Sequence, residues 1–140
     1  MKNKSKLELI KEYIENCPLL RDGKIAVDYL GDEVDSYSID QNTANPILEE
    51  YIGGGSLRQI VFDFAVVEPF SKLENLANSK FCEDFTKWVE LQNETGNLPD
   101  IKGADEIKCT APGKIIQKTD TLAVYVIPMQ FVYMNEKGGI

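Results

Sequence analysis

The chain has no histidine among its 140 residues. That absence removes the commonest general base at neutral pH, and with it any Ser–His or Cys–His nucleophilic pair. Cysteine is scarce and odd in number. Cys17, Cys82 and Cys109 show no Cys-x-x-Cys spacing, so neither a disulfide framework nor, without histidine, an ordinary zinc site is expected, and the three read as small, partly buried apolar residues. No apolar run reaches the roughly 20 residues that a membrane helix needs. The opening Met1-Lys2-Asn3-Lys4-Ser5-Lys6 leads into a charged helix and not into an apolar signal core, which gives the expectation of a cytoplasmic protein with no membrane partner. Positive charge is thin as well: 15 Lys and Arg face 23 Asp and Glu, for a net charge of −8, and the basic residues are scattered. Binding to phosphate backbones depends on clustered cations that displace counterions, so no specific nucleic-acid binding is expected. An acidic surface would let DNA slide past without sticking, although the same balance is ordinary in proteins that never meet DNA.

Hydrophobic residues make up 43% and charged residues 27%, a balance that fits one globular domain over residues 1–140. The most legible segment spans residues 81–99. Phe81, Phe85, Trp88, Val89 and Gln92 recur at spacings of three and four, while Glu83, Asp84, Lys87, Glu90 and Glu94 take the opposite side, as in an amphipathic helix laid on a core. Asn78 or Ser79 offers an N-cap, the acidic residues sit near the positive end of the helix dipole, and Gly96 followed by Pro99 ends the run. Residues 71–78 read as a short helical lead-in, with Ser71 and Glu74 at capping-box spacing. A first helix opens at Ser5, whose hydroxyl stands three residues before the Glu8 carboxylate; Leu7, Ile10, Ile14 and Cys17 share its inner face and Pro18 closes it.

The remaining segments read as strands and turns. After a turn at Arg21-Asp22-Gly23, residues 25–30 and 36–40 suggest a hairpin around a wide acidic loop. Residues 41–56 carry turn chemistry, Asn45-Pro46 and then Gly53-Gly54-Gly55, and are expected to form a mobile loop. Between residues 57 and 67 the even positions Ile60, Phe62, Phe64 and Val66 are all apolar, which places one face of a strand in the core. Two further strands, 106–110 and 114–118, flank the turn Ala111-Pro112-Gly113.

The run over residues 121–134 is apolar on both faces. Ala123, Tyr125, Ile127, Met129, Phe131 and Tyr133 point one way; Leu122, Val124, Val126, Pro128, Gln130 and Val132 point the other. At about 3.3 Å per residue it would span on the order of 46 Å, against roughly 35 Å for a domain of this size. The run is therefore expected to bend or to reach outside its own domain. Pro128, which has no N–H, suggests a bulge or an edge at its midpoint. An edge strand of this kind would call for a second subunit to cover it; a central strand kinked at Pro128 is the other reading.

No catalytic, cofactor-binding or metal-ligating residue is assigned. Asp28, Asp32, Glu33 and Asp35 crowd one turn but lack the ligand spacing and following glutamate of an EF-hand loop, so a solvated acidic turn is the plainer reading. The Gly53–Ser56 segment has neither a P-loop spacing nor a following helix. Trp88 beside Phe81 and Phe85 reads as the anchor of a helix on a sheet, not as a ligand platform.

The order of elements, helix, two short strands, long strand, helix, then two or three strands, implies an α+β fold with a mostly antiparallel sheet and two helices packed on one face. Together, the helix over 81–95, Cys17-Pro18-Leu19-Leu20, the pair of segments Asp28-Tyr29-Leu30-Gly31-Asp32 and Ser36-Tyr37-Ser38-Ile39-Asp40, and the turn Asn45-Pro46-Ile47-Leu48 give the chain a likeness over residues 7–134. In order and spacing it resembles the tail-completion, or tail terminator, proteins of siphophages and prophages of Gram-positive bacteria, often labelled minor capsid proteins. The resemblance implies a tail-terminator-like fold without catalytic residues or cofactors. It also implies a homo-oligomer, a hexameric ring that caps the tail tube and faces the head-neck proteins, located in the virion after assembly in the bacterial cytoplasm. A head-closure or connector protein of the neck is the alternative, and a small-ligand-binding or enzymatic protein a more distant one. In this reading the candidate assembly contacts are the acidic turn Asp32, Glu33 and Asp35, the glycines Gly53, Gly54 and Gly55, and Pro128 and Phe131 in the last strand.

Overall fold

The computed structural model describes residues 4–20, 24–28, 30–31, 33–70 and 72–136, with only the backbone described for 72–76. Two strands organise the rest. β4 (Ser56–Pro69) and β7 (Leu122–Asn135), numbered by their place in the chain, are 14 residues each. They pair antiparallel from Ser56↔Asn135 to Pro69↔Leu122 without a shift in register. Short strands flank this ribbon on both sides. β1 (Ile25–Val27), β2 (Tyr37–Gln41) and β3 (Ile47–Glu50) lie on the β4 side, and β5 (Ala104–Cys109) and β6 (Lys114–Lys118) lie on the β7 side. With α1 (Lys6–Ile14) and α2 (Lys72–Thr95) they make an α+β fold built on a seven-stranded, mostly antiparallel sheet.

The long apolar run is thus a central strand, not an edge, and it stays unbroken through Pro128 because its partner is equally long. Pro128 faces Asp63 across the ribbon, and its carbonyl accepts from the Thr110 amide at 2.8 Å on the other side. In an antiparallel strand the N–H and C=O of one residue point the same way. The missing N–H of Pro128 therefore faces Thr110, one residue past the end of β5 and before β6 begins opposite Val126, so proline removes only the reciprocal bond at the very end of that ladder.

The expected faces are those observed. Ile60, Phe62, Phe64 and Val66 of β4 and Ala123, Tyr125, Ile127, Met129, Phe131 and Tyr133 of β7 form one buried cluster with Leu7, Ile10, Tyr13 and Ile14 of α1 and Cys82, Phe85 and Val89 of α2. Phe64 stacks on Phe85 with centroids 4.7 Å apart, and Tyr13 of α1 meets Trp88 of α2 at 5.7 Å. α1 opens with the anticipated capping box: the Glu8 amide donates to Ser5 Oγ and the Ser5 amide to the Glu8 carboxylate. Tyr13 is buried as well, its hydroxyl donating to the Asn97 carbonyl at 2.7 Å, and burial pushes its pKa up to about 12.

Several expectations are corrected. α2 is one helix of 24 residues, so Asn78 and Ser79 lie inside it and not at its start. Asn78 is buried, and its side-chain amide donates to the Pro69 carbonyl at 2.7 Å, tying the helix to the end of β4. Ser71 and the Glu74 side chain lie outside the described residues, as does the turn Arg21-Asp22-Gly23. The C-terminus follows expectation. Gly96 sits at φ 75°, Gly96 N–H donates to the Asn93 carbonyl and Asn97 N–H to that of Gln92, the Schellman pattern in which glycine takes the left-handed position.

β1 and β2 do not form a hairpin. They run parallel, with Ile25 beside Tyr37 and Val27 beside Ile39. The connection between them holds Asp28 (φ 54°) and Asp35 (φ 66°), left-handed positions that aspartate tolerates better than most side chains. Residues 41–56 are not all loop either, since β3 pairs with the start of β4.

Two edges of the sheet are sealed by side chains. On β5, Asn93 of α2 accepts from the Ile107 amide at 2.9 Å through Oδ1 and donates to the Ile107 carbonyl through Nδ2, so a side-chain amide substitutes for a further strand. On β1, the Ile25 amide donates to the Glu15 carboxylate at 2.8 Å. Replacing Asn93 by Ala strands both polar groups of Ile107 in a partly buried site. The expected loss is on the order of 1 to 3 kcal/mol in chemical denaturation, with Asn93→Asp, which retains an acceptor for the amide alone, falling between Ala and the wild type.

Candidate assembly surfaces

Gly53, Gly54 and Gly55 form the tip of the β3–β4 hairpin and not a loose linker. All three have positive φ, at 93°, 104° and 84°, a sequence of conformations that only glycine adopts freely. The turn closes through Tyr51 N–H to the Gly55 carbonyl at 3.2 Å and Gly54 N–H to the Tyr51 carbonyl at 3.1 Å. The consequence is a projecting apolar end: Ile52 is wholly exposed, and Leu48 and Tyr51 behind it are 45% and 38% exposed.

The acidic turn lies at the other end of β4. Glu33 is exposed and Asp35 half-buried, and the Asp35 amide donates to the Val67 carbonyl while the Val67 amide donates to that of Ser36. Asp32 lies outside the described residues. Between Val67 and Ser56 the strand covers on the order of 35 Å, so the turn and the glycine tip are separate features. Pro128 is half-buried in mid-ribbon. Phe131 is fully buried and stacked on Tyr133 at 5.8 Å, so its side chain is taken up by the core of its own subunit. The structure therefore does not gather the anticipated contacts into one patch.

It brings together carboxylates that sequence distance hides. Asp40 stands directly opposite Asp63 in the β2–β4 register, and Asp28, whose carboxylate accepts from the Gln41 amide at 3.3 Å, adds its charge. Burial first, then the negative charges of Asp28 and Asp63, hold the Asp40 pKa above its ordinary 3.8, against the opposing effect of the Ser38 hydroxyl. Like charges facing each other across strands destabilise. The period-two pattern of β4 was readable, but the register that pairs Asp63 with Asp40 is not encoded in either segment alone.

A groove of about 570 Å³ lies between α2 and the β5–β6 connection, with Cys82, Thr86, Glu90, Cys109, Pro112 and Tyr125 on its walls. The connection approaches closely at Gly113, where an added Cβ would come within 2.7 Å of the Cys82 sulfur. Burial pushes both the Cys82 and the Cys109 thiol up to about 11, so at neutral pH they are protonated and weakly nucleophilic. Among the described residues no three His, Cys, Asp or Glu side chains converge as a metal site, and no helix is long and apolar enough to cross a membrane. A second hollow, of about 330 Å³, lies between the start of α1 and the end of β7, with Lys4, Lys6, Lys102 and Glu136 at its rim.

The fold is that of an α+β protein, with exposed apolar side chains on the β3–β4 hairpin and β6 as well as at Val34 and at Leu91 of α2. The sequence matches no known protein family, and no curated protein matches it.

The Asp40 site generates a test. Because its pKa is higher in the folded than in the unfolded chain, the folded state binds more protons above the ordinary value of 3.8, and stability from this group falls as pH rises. Asp40→Asn, which preserves an acceptor for Ser38, is expected to raise the thermal midpoint at pH 7 and to have no effect at pH 3, where Asp40 is protonated in both states; thermal melts at the two pH values check it.

Proposed function

We propose that this chain is a structural virion protein of a phage or prophage, a tail-completion subunit that forms a ring on the tail tube and joins it to the neck of the head. In this reading the protein is not an enzyme and needs no cofactor. Its partners are further copies of itself, in a hexamer, the tail tube protein and a head-closure protein, and it enters the virion after assembly in the host cytoplasm. The sequence resemblance over residues 7–134 is the starting point.

The observation that carries the reading is the β3–β4 hairpin. Its fully exposed Ile52 stands on a glycine-built tip, which suits a part that inserts between other proteins better than one that stays in water. A ring subunit also needs surfaces for unlike neighbours, and head-to-tail contacts provide them. A head-closure or connector role would use the same hairpin and differs in which partner it meets.

Deletion of the gene from its parent phage or prophage, followed by electron microscopy of the particles, tests the proposal. The expected outcome is abnormally long tails detached from filled heads, because tube growth has lost its stop. Tails of normal length beside heads that leak DNA would move the assignment to head closure, and unchanged infectious particles would overturn the virion reading altogether.

A further inference from the structure

We infer that the β3 edge of one copy of this chain pairs with the β6 edge of the next, extending the sheet from subunit to subunit. The inference deepens the ring proposed above and rests on that reading for its biological purpose, while the pairing itself follows from how the sheet ends.

A sheet edge presents unpaired N–H and C=O groups, and a monomer covers or blunts them. Here the coverage is uneven. Asn93 occupies both outward groups of Ile107 on β5, and Glu15 takes the Ile25 amide on β1. On β3 only the Ile47 amide is met, by the side chain of Asn45 two residues before it. Among the described residues no side chain hydrogen-bonds the outer edge of β3 over residues 48–50 or that of β6. Every residue of β6 is exposed, and both strands carry an irregularity whose extra residue is a large apolar one, Leu48 in β3 and Ile116 in β6, 45% and 57% exposed.

The two open edges differ in sign. β3 reads Ile47-Leu48-Glu49-Glu50, with two carboxylates and no cation. β6 reads Lys114-Ile115-Ile116-Gln117-Lys118, with two cations and no carboxylate. None of the four charges forms an ion pair among the described residues, although Lys118 Nζ lies over the Phe70 ring at 5.1 Å. In a chain of net charge −8 a purely basic strip is an exception. Pairing β3 with β3, or β6 with β6, would set like charges opposite one another, whereas pairing β3 with β6 sets glutamate against lysine.

Placement agrees with this. β3 sits beside Ser56–Arg58 on the β4 side of the ribbon, and β6 beside Ala123–Val126 on the β7 side, near the other end. A copy that engages a neighbour through β3 still offers β6 to the next. The contact is heterologous and propagates head to tail, as a ring or an open chain does, and its affinity comes from main-chain hydrogen bonds of the strand-addition kind.

The test uses the purified full-length chain at low salt in sedimentation velocity over rising concentration, with two charge-reversed variants, Glu49→Lys/Glu50→Lys and Lys114→Glu/Lys118→Glu. The wild type is expected to form species larger than dimers. Each variant alone, with like charges on both edges, is expected to associate at least about tenfold more weakly, and an equimolar mixture of the two to regain association, because each then offers the edge that the other lacks. Unchanged melting curves identify variants that remain folded. A second measurement stands apart from charge: Glu50→Cys and Gln117→Cys proteins, mixed and oxidised, are expected to give a mixed disulfide dimer in excess over either protein oxidised alone.

A wild type that stays monomeric at every concentration, variants that associate like the wild type, or no excess of the mixed disulfide would overturn edge pairing. The lysines and irregularities of β6 would then be the guards of a monomer's edge. Such a result leaves the tail-completion reading to the deletion particles, which judge it without reference to β3 or β6.

Discussion

The β4–β7 ladder is the constraint on which the remainder of this protein depends. Fourteen residues on each strand pair in unbroken register, and that register decides which side chains enter the core. Because side chains alternate, a slip of one residue would send Phe62, Phe64, Phe131 and Met129 to the other face and bring Asp63 and Gln130 inward. Both helices are held by the same choice, since Phe85 of α2 stacks on Phe64 and Tyr13 of α1 reaches Trp88. The ribbon is also longer than any other strand, so each side accommodates two short neighbours at different heights, β2 and β3 on one side and β5 and β6 on the other. Pro128 fits where it does because β5 ends beside it, at Thr110.

What was legible in the sequence was what depends on short-range pattern. The inner faces of β4 and β7, the inner face of the helix through Phe85 and Val89, the capping box at Ser5 and the glycine stop at Gly96 all follow from period, capping chemistry and φ preference, which act within a few residues. The errors share a different origin. The expected hairpin between β1 and β2 failed because local turn signals mark where a chain turns, not which way the next strand runs; the two strands pair parallel, with left-handed Asp28 and Asp35 in the connection. Asn78 looked like a cap because asparagine prefers caps, yet a tertiary partner, the Pro69 carbonyl, holds it in the middle of a longer helix.

The candidate contacts divide along the same line. Gly53, Gly54 and Gly55 were expected in a mobile loop, but whether three glycines form a slack linker or a hairpin tip depends on the strand that precedes them, and β3 is short, bulged and polar enough to escape notice as a strand. Phe131 stood out because its strand is apolar on both faces. β7 is paired on both sides, and its Ala123-to-Tyr133 face lies in the same buried cluster as residues of α1 and α2, so Phe131 is buried within the chain itself. Among the exposed apolar residues, Leu48 and Ile116 lie in strands too short to register as hydrophobic and Ile52 in the turn that follows β3.

Charge and edge geometry meet in the question of how such acidic subunits would approach one another. Two copies at −8 repel at long range, but at physiological ionic strength that repulsion decays over about 8 Å. Contact is therefore governed by the few charges that come within that distance. With 23 acidic and 15 basic residues, carboxylates outnumber cations among the charges that can meet. When the β6 strip faces the β3 hairpin, lysines meet glutamates, unpaired backbone groups on both edges find partners, and Leu48 and Ile116 leave water together. If copies pair as inferred above, net charge would act as a filter on orientation, favouring the encounter in which local sign is reversed, and a head-to-tail order would follow because each copy carries one edge of each sign.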